Sequence, residues 1–132
     1  MTERALYLLD SIGHVSERHA GSVIVSGSHG GVSAAAYILV LQKAPLAALF
    51  NDAGRGKDDA GVAGLLLLQQ RGVIAVTYGH LSARIGDAAD GLANGVITAL
   101  NEAAITSGLA VGWTVQDAVV LLRNTQPLAH RP

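Results

Sequence analysis

The sequence predicts an α/β fold, a small three-layer α-β-α sandwich built on a short, mainly parallel sheet of three or four strands. Three observations carry this reading. Short apolar, β-branched runs recur about every 25 residues, each followed by a polar loop and a helix-type pattern, the signature of β-α-β crossovers. The runs are continuously apolar rather than alternating, as expected of strands buried on both faces. Half of the 132 residues are hydrophobic and only 14% are charged, which excludes disorder and supplies a core for a single domain, 1–132.

Taken in order, residues 3–15 read as a helix, with Ala5, Leu6, Leu8, Leu9, Ile12 and Val15 on one broad side. Residues 16–21 are polar and turn-like, and 22–26 form a β-branched strand between Gly21 and Gly27. Residues 27–31 are a glycine-rich loop, and 32–43 a helix ending before Pro45. The apolar run 46–50 is the second strand, closed by Asn51-Asp52-Ala53-Gly54. A helix over 58–71 opens on Asp58 and Asp59, placed as N-cap and first-turn charges, and stops at Gly72. Residues 73–77 are the clearest strand. A helix is expected from about 89 to 107, ended by Gly108, and a last one from the Thr114 cap, with Asp117 at its third position, to Arg123. Residues 126–132 read as a tail.

This arrangement is of the Rossmann or flavodoxin kind, in which ligands bind beyond the carboxyl ends of the strands, at the point where strand order reverses. Composition narrows the partners. Net charge is −1 and aromatics are 4%, which argues against nucleic acid and against a flavin-type cofactor; no cofactor is expected. Absence of cysteine excludes thiolate catalysis and disulfides. No apolar run approaches the roughly 20 residues of a membrane span, and no signal peptide is visible, so a cytoplasmic location without membrane partners is expected. Positive mean hydropathy, +0.38, with so few charges points to burial between subunits and a homo-oligomer.

The three loops at the expected ligand edge are rich in glycine and functional side chains, whereas the opposite connections are plain. In the first, Ser26, Gly27, Ser28, Gly30 and Gly31 would cradle a phosphate or carboxylate with backbone amides and hydroxyls. The pattern is neither a dinucleotide fingerprint nor a P-loop, so no nucleotide is implied. His29 in this loop and His80 in the third are candidate catalytic groups, since imidazole serves as acid, base or anion donor. Asp52, just past the second strand, would orient a histidine or act as base. Asn51, Lys57, Asp58, Ser82 and Arg84 complete the candidate binding set, Arg84 offering a planar fork for an oxyanion. Arg55 reads as solvated, or clamping a partner. His14, His19 and His130 lie outside these loops and read as surface or interface residues.

Two chemistries fit. One is a hydrolytic constellation of Ser28 or Ser82 with a histidine and Asp52, although no G-x-S-x-G elbow is present. The other is proton transfer by His and Asp on a bound anionic metabolite, as in an isomerase or lyase. His29, His80 and Asp52 are also of metal-ligating type, but without a recognised ligand spacing no metal is predicted. The rival to an enzyme is a non-catalytic ligand-binding module or the small subunit of a larger complex. Convergence of His29, Asp52 and His80 on one pocket separates these readings.

Overall fold

The computed structural model describes residues 3–125, so the tail 126–132 and His130 lie outside the described residues. The chain runs β1 (Leu6–Leu9), β2 (Val23–His29), α1 (Val32–Leu39), β3 (Ala47–Asn51), α2 (Gly64–Gln70), β4 (Ile74–Tyr78), α3 (Ala88–Asn94), β5 (Ile97–Leu100), α4 (Glu102–Thr106) and α5 (Val115–Arg123). Short 3-10 turns occupy Ile12–His14, Glu17–His19 and Lys57–Val62. One five-stranded sheet takes the strands in chain order; β1 to β4 are parallel and β5 is antiparallel to β4. No described helix is long and apolar enough to cross a membrane.

Two packed layers cover the sheet. Sequential parallel strands joined by crossovers of one hand put every connection on the same side. Accordingly Ile12, Ala34, Ala35, Ile38, Leu65 and Leu68 pack together on Ile24, Ala48, Phe50 and Ala75. The opposite face, Val23, Val25, Leu49, Val76 and Tyr78, is covered by Ala88, Ala104, Val115, Ala118, Val119 and Leu122. β3 shows why its run had to be continuously apolar: Ala47 and Leu49 serve one layer, Ala48 and Phe50 the other.

The structure corrects several sequence expectations. The sheet has five strands, not three or four, and its order contains no reversal. Residues 3–15 are not a helix. Leu6–Leu9 pairs with Val23–Ser26 as an edge strand, Leu6 facing one layer and Leu9 the other, before the turn at Ile12. The expected helix 89–107 is α3, β5 and α4. Gly95 packs against Val115 and Gly91, and Val96-Ile97-Thr98 is β-branched; the chain therefore extends beside β4. Asn101 then caps α4 and, fully buried, bonds Ala75 N, Leu65 O and Val73 O. α2 begins only at Gly64, and Asp58 and Asp59 stand in left-handed conformation instead of capping it. Thr114 does cap α5, accepting from Asp117 N.

Two further differences bear on the histidines and glycines. His19 is buried, 4% exposed, against the edge of Tyr7. Burial and the neighbouring Arg18 hold it below the ordinary imidazole range. β2 extends through His29, so Gly27 and Ser28 are strand residues, with a register shift before His29. Gly27 has backbone of Asp10, Gly86 and Asp87 at 2.6 Å from where a Cβ would stand. A side chain at Gly64 would run into Gly31 O, and Gly64 N donates to Gly30 O at 2.8 Å. This backbone approach seats α2 against the start of α1.

Helix propensity alone makes Gly64→Ala stabilising by about 1 kcal/mol. The occupied space reverses the sign: the substitution is expected to destabilise by about 1–3 kcal/mol, checked by urea unfolding.

Candidate functional site

Asp52 follows β3 directly, and its N–H donates to Tyr78 O at 2.8 Å, continuing the ladder one step past the strand. Its carboxylate turns inward and is 4% exposed. Oδ1 accepts from Gly54 N at 2.8 Å and His80 N at 3.0 Å, and Oδ2 from the Thr98 hydroxyl at 2.9 Å. Thr98 has one proton, and it goes to Asp52. The fully buried Thr77 hydroxyl, 3.1 Å away, therefore donates to Thr98. Burial pushes the Asp52 carboxyl upward, but the Gly54 amide, the Thr98 hydroxyl and His80 outweigh it and hold it below the usual carboxylate range.

His80 Nδ1 lies 3.3 Å from Asp52 Oδ1, at the long end of hydrogen-bonding reach, and the ring is 48% exposed. Nδ1–H toward the carboxylate leaves Nε2 with a lone pair facing out, the form of a general base. Gly54 lies under the ring: a Cβ there would stand 3.4 Å from His80 Cε1. His29 is set the other way. Its Nδ1 accepts the Gly31 amide at 3.0 Å, so the neutral ring carries its proton on Nε2 and presents a donor.

Between the histidines stands the loop 53–61, in which Ala53, Arg55, Asp58 and Asp59 all have positive φ. Left-handed backbone at non-glycine residues costs about 1–2 kcal/mol each, and persists only where surrounding bonds fix it. Here Ala53 N donates to Asn51 Oδ1, Arg55 N to Asp52 O and Gly61 N to Arg55 O. A Cβ at Gly61 would fall on Asp52 O. The loop and His29 border an open cavity of ≈ 240 Å³ lined by His29, Ala53, Arg55, Gly56, Ala60 and Gly61.

The predicted residues divide. His29, Asp52 and His80 leave adjacent strands at one edge, but only Asp52 and His80 touch, and the cavity opens at His29. Ser26 and Asn51 are fully buried: Ser26 Oγ accepts from Ser28 N, and Asn51 spans Ala53 N and Ala83 O. Ser28 Oγ holds Ile12 N, and Ser82 Oγ sits between Gly79 O and Val96 N. Gly27, Gly30 and Gly31 meet protein rather than open space. Lys57 and Asp58 are exposed, and Arg84 meets Asp90 through its backbone amide. Among the described residues no cluster of three His, Asp or Glu could hold a metal ion.

Thr98 falls within the expected helix 89–107, where its hydroxyl has no visible role, and the β-branched Val-Ile-Thr run after Gly95 is the signal for a strand; Thr77 lies in the expected strand 73–77 and gains its role only through Thr98. The chain matches no family model, no curated protein and no solved structure.

Asp52 releases its proton more readily folded than unfolded, where 3.8 is the ordinary value. Its stabilisation is therefore complete above about pH 4 and declines as pH falls through the lower folded value. Asp52→Asn is expected to flatten that acid slope and to cost about 1–3 kcal/mol at neutral pH, measured by urea unfolding across the acid range.

Proposed function

We propose that the carboxyl edge of the sheet is an acid–base site acting on a small anionic metabolite, with His80 as the proton-transferring group and Asp52 as the residue that orients it. The observation that carries this is the Asp52–His80 pair. A buried carboxylate, held ionised by the Gly54 and His80 amides and the Thr98 hydroxyl, lies 3.3 Å from one nitrogen of a half-exposed imidazole, whose other nitrogen is then free for proton transfer. Isomerase or lyase chemistry is favoured over a serine-dependent hydrolase, because the Ser28 and Ser82 hydroxyls are engaged with backbone and neither meets a histidine.

The test is a panel of carboxylated and phosphorylated metabolites followed by NMR in D₂O, where proton abstraction appears as deuterium incorporation. One member is expected to turn over, and His80→Ala to slow it about 10²–10⁴-fold. Ser28→Ala and Ser82→Ala should leave the rate within about tenfold. Undiminished turnover in His80→Ala overturns the assignment.

A second feature supports assembly. α1 contains no charged residue, and its outer side exposes Val32, Tyr37 and Val40 (79% for Val40) beside a groove of ≈ 440 Å³ lined by Ser33, Ala36, Tyr37 and Val40. We infer that this face meets a second copy of the chain, which suits either an enzyme or a ligand-binding subunit. Light scattering should show a dimer or larger that Val40→Glu dissociates; a wild-type monomer at micromolar concentration contradicts it.

A further inference from the structure

The cavity beside His29 is not lined by the acid–base pair and has its own chemistry. It is lined by Ala53, Gly56, Ala60 and Gly61, small and apolar, together with His29 and Arg55. Both are donors. His29 has only Nε2–H to offer, because Nδ1 is committed to Gly31 N. Arg55 uses Nε on Asp59 Oδ1 at 3.1 Å, and its terminal nitrogens make no other hydrogen bond to the described residues.

We propose that this cavity binds the carboxylate of a small organic acid, its two oxygens taken by His29 Nε2–H and the Arg55 guanidinium, its stem lying against Ala53 and Ala60. A donor on each of two lining residues matches the two oxygens of a carboxylate. A phosphoryl group, with three peripheral oxygens and more charge, would bring an oxygen that neither donor serves. Apolar walls add affinity for a short alkyl stem, roughly fourfold per methylene.

The placement also fits the acid–base reading, on which the inference rests only in taking this acid to be the substrate. Ala53 lines the cavity while the next residue, Gly54, lies under His80. His29 and Tyr78 both pair with Asn51, so the histidines leave strands two spacings apart, about 10 Å. An acid several carbons long, held at His29, has the length to bring its far end to His80. His29 is the anchor and His80 the base, roles that their opposite tautomers impose.

Asp59 supplies a test that does not rely on damage. Its carboxylate competes for Arg55, it is exposed, and its left-handed backbone (φ 58°) is one that asparagine adopts readily. Acetate, butyrate and inorganic phosphate are titrated into ¹⁵N-labelled protein, following the His29 ring nitrogens and the Gly56 and Gly61 amides. Butyrate should bind more tightly than acetate and both more tightly than phosphate. Asp59→Asn should tighten butyrate about two- to fivefold, and His29→Leu should weaken it about tenfold. Phosphate preference, or butyrate affinity indifferent to both substitutions, overturns the proposal. Butyrate binding with an inert His80 would remove the acid–base reading alone; His80-dependent turnover without carboxylate binding would remove this one alone.

Discussion

A buried carboxylate sets the terms for the whole carboxyl edge. Asp52 is nearly inaccessible, and an ionised group in that position costs several kcal/mol unless its lone pairs are met. The groups that meet it come from three separate segments: Gly54 from its own loop, His80 from the connection after β4, and Thr98 from β5. Each must be brought in by its backbone. Gly54 reaches Oδ1 only if the chain coils tightly after β3, which puts Ala53 and Arg55 into left-handed conformation. His80 must turn its amide inward, which stations its ring over Gly54. The antiparallel β5 must present Thr98, itself supplied with a proton by Thr77. Position of the imidazole is thus a consequence of satisfying the charge beneath it.

The glycines serve the same edge differently from the way a phosphate-binding loop uses them. Gly30, Gly31, Gly61 and Gly64 let two backbones approach closely, as the Gly64–Gly30 bond and the contacts of Gly61 with Asp52 O show. That approach fixes the loop 53–61 from its far end, while Asn51 and Asp52 fix it from the near end. The cavity beside His29 is the space left under a loop pinned on both sides. Its shape belongs to the backbone, so substitutions at Arg55 or Asp59 change its chemistry with little change in its walls.

How much of this was legible follows from what each segment buries. The runs at 22–26, 46–50 and 73–77 read as strands because both faces are covered, and a period-free apolar run has few other uses. β1 escaped because a four-residue edge strand with Leu8 exposed shows the same spacing as a short amphipathic helix. β5 escaped because it lies between two helices with only Gly95 and Asn101 marking its ends. Asp52 and His80 were found from their place after strands, a topological signal. Thr98 was lost with β5, since a hydroxyl acquires a role only once its strand is placed. The binding roles given to Ser26 and Asn51 rested on loop exposure, whereas the edge closes over both.

The face to which each connection turns shapes the carboxyl edge. Rossmann-type sheets obtain a crevice where neighbouring connections leave to opposite faces. Here the first three crossovers pack on one face, whereas the connection after β4 turns to the other, where Ala88 of α3 lies, so neighbouring connections part between Asp52 and His80. The loop after β3 borders that gap and stands off the edge. The 53–61 segment does this by coiling left-handed above Asp52, at a conformational cost that a simple turn into α2 would avoid. A loop with only a linking role could shed that cost with glycine at Ala53, Arg55, Asp58 or Asp59. In their place, bonds from Arg55 N to Asp52 O and from Gly61 N to Arg55 O hold the coil, and Arg55 lines the cavity beneath it.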